Sequence, residues 1–167
     1  VECGVGKALL SKTIVNYLDF DQIEKKFFLF DTFEGIPCSQ AKDKKEKENM
    51  NRLNQMHFPV SYYEDIKQSF AKYHNVILVQ GVVPDTLVTA DIEKVCYISI
   101  DMNNAFAEIA AIKFLWEKLV IGGIVVLDDY AYGTEFMEQK HAWDNYANSM
   151  NFEILTLPTG QGLIIKN

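Results

Sequence analysis

Three acidic residues, Asp101, Asp128 and Asp129, stand at the ends of two short apolar runs, Val95–Ile100 and residues 124–127. If those runs are neighbouring strands, the carboxylates meet at one edge of a sheet. Like charges gathered there repel, and without a cation at least one of them must be driven towards its protonated form. An all-oxygen set with room for water and substrate suits a hard cation such as Mg2+. Neither cysteine nor histidine belongs to the set, which argues against zinc. The competing reading is that some of these acids cap the helices that follow. Asp128 and Asp129 would face opposite sides of a continuing strand, so both reach one ion only if a turn begins there.

A second group is Glu2-Cys3-Gly4-Val5-Gly6-Lys7. It reads as a strand end, a glycine turn and a helix start. Glycines let backbone approach a ligand closely, and a helix N-terminus favours an anionic group. The dinucleotide fingerprint needs a further glycine three positions after Gly6, where Leu9 stands, and no Lys-Ser/Thr pair of a phosphate loop follows. On its own the motif also fits an ordinary tight turn. Asp31 closes the next apolar run. An acid there can accept both hydroxyls of a ribose, or merely cap a turn. Turn and acid together fit an adenosine-type ligand. His57, His74 and His141 are scattered among polar neighbours and read as surface or packing residues. No Ser-His-Asp set or nucleophile elbow is present.

To bring these residues together the chain must alternate strand and helix. Apolar spacing (Leu10, Ile14, Leu18) predicts a helix over 7–18, and Phe27–Asp31 reads as a strand buried on both faces. Residues 60–73 read as a helix with Tyr63, Ile66 and Phe70 on one side, 76–79 as a strand and 85–90 as a short helix. Val95–Ile100 reads as a strand, and 105–119 as a helix with Ile109, Ile112, Trp116 and Leu119 in register. Gly122-Gly123 reads as a break, 124–127 as a strand and 134–150 as a helix. Residues 152–157 and Gly162–Ile165, joined by a tight turn, predict an antiparallel hairpin. The expected fold is α/β: a mostly parallel sheet with helices on both faces, right-handed crossovers and ligands at the carboxyl ends of the strands. Residues 39–59, rich in Lys, Glu, Asn and Gln, read as a solvated helix or mobile loop, or as a lid that orders over substrate.

The 167 residues, 49% hydrophobic, suit one domain spanning 1–167. A net charge of -7 disfavours nucleic acid as a partner, and no apolar run is long enough for a membrane span. Cys3, Cys38 and Cys96 lack metal-type spacing, and the two in strands read as small buried hydrophobes. A reducing, cytoplasmic setting is expected. The opening on Val1-Glu2-Cys3 reads as the end of a strand, so an upstream segment is expected.

The segments VECGVGKA, FLFDTFEGIP, GVVPDTL, ISIDMNNA, GGIVVLDDY and LPTGQGLIIK, in this order, resemble the class I S-adenosylmethionine-dependent methyltransferases and, more closely, the macrocin O-methyltransferase family of antibiotic-sugar enzymes. The resemblance implies a Rossmann-like, seven-stranded sheet whose last strand is antiparallel. It implies S-adenosyl-L-methionine lined by Glu2, Gly4 and Gly6, with Asp31 on its ribose and Gly81-Val82 beside its adenine. It also implies Mg2+ on Asp101, Asp128 and Asp129, with Asp101 available to take a proton. The acceptor would be a hydroxyl of a sugar or glycosylated small molecule. Tyr130 and Gln161 are placed on the substrate wall by position. An N-terminal helical segment that covers the site and mediates a homodimer would lie upstream. The acid order is similar to that of catechol-type O-methyltransferases, but Asn104 stands where those carry a lysine base, and Ala8 stands where the family often has glycine. Two other readings are a metal-independent methyltransferase and a non-catalytic nucleotide-binding or interaction domain of the same fold.

Overall fold

The computed structural model describes residues 1–58, 60–134 and 137–167. Seven strands form one sheet in the order β3-β2-β1-β4-β5-β7-β6. They are β1 (Glu2–Cys3), β2 (Phe27–Asp31), β3 (Val76–Gln80), β4 (Val95–Ile100), β5 (Leu119–Leu127), β6 (Leu155–Thr156) and β7 (Gly162–Ile165). Strands β1 to β5 pair in parallel, while β7 runs antiparallel to both β5 and β6. The expected hairpin is therefore present, with β7 inserted beside β5 and β6 at the edge.

Among the described residues the α-helices are α1 (Leu9–Tyr17), α2 (Lys44–His57), α3 (Tyr63–Phe70), α4 (Ala105–Trp116) and α5 (Met137–Met150). The apolar run of β2 is continuous because both of its faces are covered. Phe28 and Phe30 join one core with Ile112 and Leu115 of α4 and Trp143 of α5. Phe27 and Leu29 join the other with Val15 of α1 and Ile66 and Phe70 of α3. Alternation along a strand sends successive side chains to opposite faces, so one strand feeds two cores.

Several sequence expectations need correction. Strand β5 begins at Leu119 and runs through Gly122-Gly123, which does not break the chain. The glycines instead pair with Lys166, beside a register shift between Val95 and Tyr97 of β4. Leu119 thus starts β5 and does not end α4. The helix predicted from the apolar spacing is present as α1, with Ile14 packed on the second core, Leu10 and Leu18 exposed, and Ser11 and Val15 buried. The helix is turned so that the Ser11 hydroxyl donates to the buried Glu2 carboxylate at 2.7 Å. Cys3 is buried as expected, but Cys96 is exposed. Residues 39–59 hold a regular helix, α2, whose N-cap Asp43 accepts from the Glu46 N–H at 2.8 Å. Pro59 lies outside the described residues, as do 135 and 136 in the expected 134–150 helix. His57, His74 and His141 are all exposed. Among the described residues no helix is long and apolar enough to cross a membrane.

Candidate active site

The carboxyl ends of β1, β2, β3 and β4 open on a cleft of about 90 Å³. Gly4, Gly6, Asp31, Gly81 and Asp101 line it, with Ile36, Pro37, Gln40, Val83 and Asn104 among the other walls. Gly4 is obligatory in this geometry. Its φ is +85°, and a Cβ there would sit 1.8 Å from the Asp101 carbonyl oxygen. Strands β1 and β4 can pack at the cleft floor only because that side chain is missing. Ala8 adopts φ +60°, a left-handed conformation that costs a non-glycine residue about 1–2 kcal/mol. The turn therefore keeps the geometry that glycine would supply, under strain.

Asp31 does more than the sequence suggested. Its Oδ2 accepts from the Val5 and Gly6 N–H groups at 2.6 and 2.9 Å, and its Oδ1 accepts from the Phe33 N–H at 2.6 Å. The carboxylate ties the glycine turn to the end of β2 while still facing the cleft. Burial raises its pKa, and the Phe33, Gly6 and Val5 N–H groups act in the opposite direction. The Gly81 N–H donates to the Asp31 carbonyl at 2.9 Å, which seats the start of the β3 loop on the same wall. Val82 is not on that wall; the next residue, Val83, is. Glu2 is also off the wall, bonded to Ser11, and burial pushes its carboxyl up to about 7.

The three acids do converge. Asp101, Asp128 and Asp129 each bring a carboxylate oxygen within 4.8 Å of the others. The geometric condition is met because β5 ends at Leu127 and a turn starts at Asp128, which redirects the adjacent pair. Burial, then Asp128 and Asp129, push the Asp101 carboxyl up to about 8. Supporting contacts come from residues the sequence did not assign this way. Gln161 donates to Asp128 at 2.7 Å, and Asn103 donates to Asp101 at 3.3 Å. Tyr130 is buried, and its hydroxyl donates to Asp144, which is paired with Lys140 at 2.8 Å. This contact anchors the turn that carries the acidic pair to α5. Beneath the cluster, Glu108 of α4 accepts from the Trp143 indole N–H at 2.8 Å and is pushed up to about 7 by burial.

Asn104, the residue in place of a lysine, is 1% exposed and caps α4 by accepting from the Ala107 N–H at 3.1 Å. Its Nδ2 is buried without a partner and it lines the cleft, as does Gln40, whose Oε1 is likewise unpartnered. A second, larger cavity of about 630 Å³ lies between α2 and α5, and Asn103 lines both.

Comparison with known proteins agrees with this geometry. The model of the macrocin-O-methyltransferase family matches residues 1–155. A search of curated proteins finds no significant match. Among solved structures, the O-methyltransferase NovP superposes with a TM-score of 0.80 at 22% identity, covering 99% of this chain and 70% of its own. The calicheamicin methyltransferase CalS11 superposes at 0.67 with 16% identity, covering 98% and 70%. The S-adenosylhomocysteine-bound methyltransferase PaMTH1 of Podospora anserina superposes at 0.56 with 15% identity, covering 95% and 78%. The chain belongs to the macrocin-O-methyltransferase family and, with it, to the S-adenosylmethionine-dependent O-methyltransferases.

Proposed function

We propose that this enzyme methylates a hydroxyl of a sugar or glycosylated small molecule, with S-adenosylmethionine in the cleft and Mg2+ on Asp101, Asp128 and Asp129. The observation that carries the reading is that Asp101 belongs both to the cleft wall and to the acidic trio, so donor and acceptor sites meet at one residue. The sugar as acceptor class is supported by the similar structure of CalS11, described as a TDP-rhamnose 3'-O-methyltransferase.

The trio suits a divalent cation. Its oxygens are close enough to share an ion, and Asp101 is driven to about 8 by burial and by its acidic neighbours, a cost that a cation would relieve. When bound, Mg2+ would supply acidity and orientation to the acceptor hydroxyl. The chain's own residues do the rest. Gly4, Gly6 and Asp31 hold the donor, and Gln161 and Asn103 hold Asp128 and Asp101 in place. S-adenosylmethionine, when bound, would supply the methyl group: its carbon–sulfur bond would break with the pair left on sulfur as the acceptor hydroxyl oxygen takes the carbon. The hydroxyl proton passes to the Asp101 carboxylate; Asn104 has no basic group with which to compete. Proximity supplies much of the acceleration.

Residues 39–59 act as the lid of this single domain. Lys42, just before α2, pairs with Glu138 of α5, and both line the second cavity together with Asn103. The test is transfer of a labelled methyl group to a panel of nucleotide sugars, with Mg2+ or with excess chelator. Asp129→Asn should lower Mg2+ affinity and transfer by about tenfold or more, in line with metal-site losses elsewhere, while S-adenosylhomocysteine affinity changes little. Full activity in chelator would favour the metal-independent alternative.

A further inference from the structure

We infer that Gln40 reads the base of the nucleoside in the cleft, accepting a hydrogen bond from the exocyclic amine of adenine through its Oε1. The inference rests on the cofactor reading above. Gln40 Nε2 donates to the Val83 carbonyl at 2.7 Å. A carbonyl can only accept, so the amide nitrogen must face Val83 and the oxygen must face away from it. That oxygen is buried and unpartnered, on a residue that lines the cleft. A buried acceptor without a donor is destabilising, so the site is complete only when a ligand brings an N–H or O–H to it.

Position selects which part of the ligand this is. The methyl group must lie beside Asp101, at the end of β4 where the acids gather. The sheet order β3-β2-β1-β4 then runs the donor from Asp101 past Gly4 and Gly6 to Asp31, and onward to Gly81 at the end of β3. Gln40 is tied to Val83 at that far end, beside the apolar Ile36 and Pro37. A flat apolar ring with one donor fits such surroundings. Adenine has that donor at its 6-amino group. Hypoxanthine places a carbonyl oxygen at the same position, and two acceptors would then face each other.

The experiment is calorimetric titration of the parent and of Gln40→Leu with S-adenosylhomocysteine and with S-inosylhomocysteine. The parent should prefer the adenosyl compound by about tenfold or more, as expected for a site built around a substrate hydrogen bond. In Gln40→Leu the adenosyl affinity should fall and the preference should collapse towards unity. The ratio is the readout because partial loss of folding would lower both affinities together. A parent that binds both compounds equally, or a Leu variant that still discriminates, would overturn the inference. A parent that binds neither compound would defeat the cofactor reading itself, and this inference with it.

Discussion

At the scale of single residues, Asp31 has the most to lose. Its carboxylate accepts three backbone N–H bonds within the glycine turn and the β2 end, and it also faces the cleft. Hydrogen bonds to a charged acceptor contribute roughly 1.5–3 kcal/mol each. Asp31→Ala should therefore do two things at once. It should weaken S-adenosylhomocysteine binding at least tenfold by calorimetry, by roughly 1.4 kcal/mol or more. It should also lower the melting temperature of the ligand-free protein. A fall in affinity with unchanged melting would mean that the loop does not depend on the carboxylate. The position of Asp31 after an apolar run was legible in the sequence; its service to Val5, Gly6 and Phe33 was not, because turn geometry decides which N–H groups converge on it. Gln40 and Asn104 were equally hidden as orphaned polar groups, since an unmet hydrogen bond exists only once the surroundings are packed.

Among the elements, α2 is tied to the cleft wall at Ile36. Asn54 on this helix clasps Ile36, accepting from its N–H at 2.7 Å and donating to its carbonyl at 2.9 Å. Gly35 makes room for the clasp, because a Cβ at that residue would lie 2.5 Å from Asn54 Oδ1. Asn54→Ala removes both bonds and leaves the Ile36 groups to find new partners, at about 1–3 kcal/mol. Amide exchange over 36–38 and α2 should accelerate in that variant, while exchange in β4 and β5 stays unchanged; uniform acceleration would show that α2 is not a separable lid. The sequence predicted β2 and β4 with their bounds intact, because apolar runs ending in an acid leave little choice. It misplaced the α4–β5 boundary, since the Gly122-Gly123 pair that signals a break is absorbed by pairing with Lys166. The helical spacing of Leu10, Ile14 and Leu18 found α1 but did not reveal that Ser11 is buried against Glu2.

Across the whole molecule, the sheet edge stores acidity. Burial raises Glu2 from 4.5 to about 7, Glu108 from 4.5 to about 7 and Asp101 from 3.8 to about 8. Raised folded values mean that the folded chain binds more protons than the unfolded one between those limits. The associated stability is complete below the unfolded values and is lost as pH climbs through the folded ones. The ligand-free protein should thus melt at a higher temperature near pH 5 than near pH 8. Millimolar Mg2+ at pH 8 should recover part of the difference through binding to the folded state. A melting temperature that rises from pH 5 to pH 8 in the absence of the cation would contradict this electrostatic account.

The most direct test of the account is a crystal structure of the S-adenosylhomocysteine complex grown with Mn2+ in place of Mg2+, with anomalous data collected for the ion. The expected result is one anomalous peak shared by Asp101, Asp128 and Asp129, the homocysteine sulfur facing that peak, and the nucleoside running past Asp31 towards Gln40. A ligand seated outside the cleft, or carboxylates that share no ion, would contradict it.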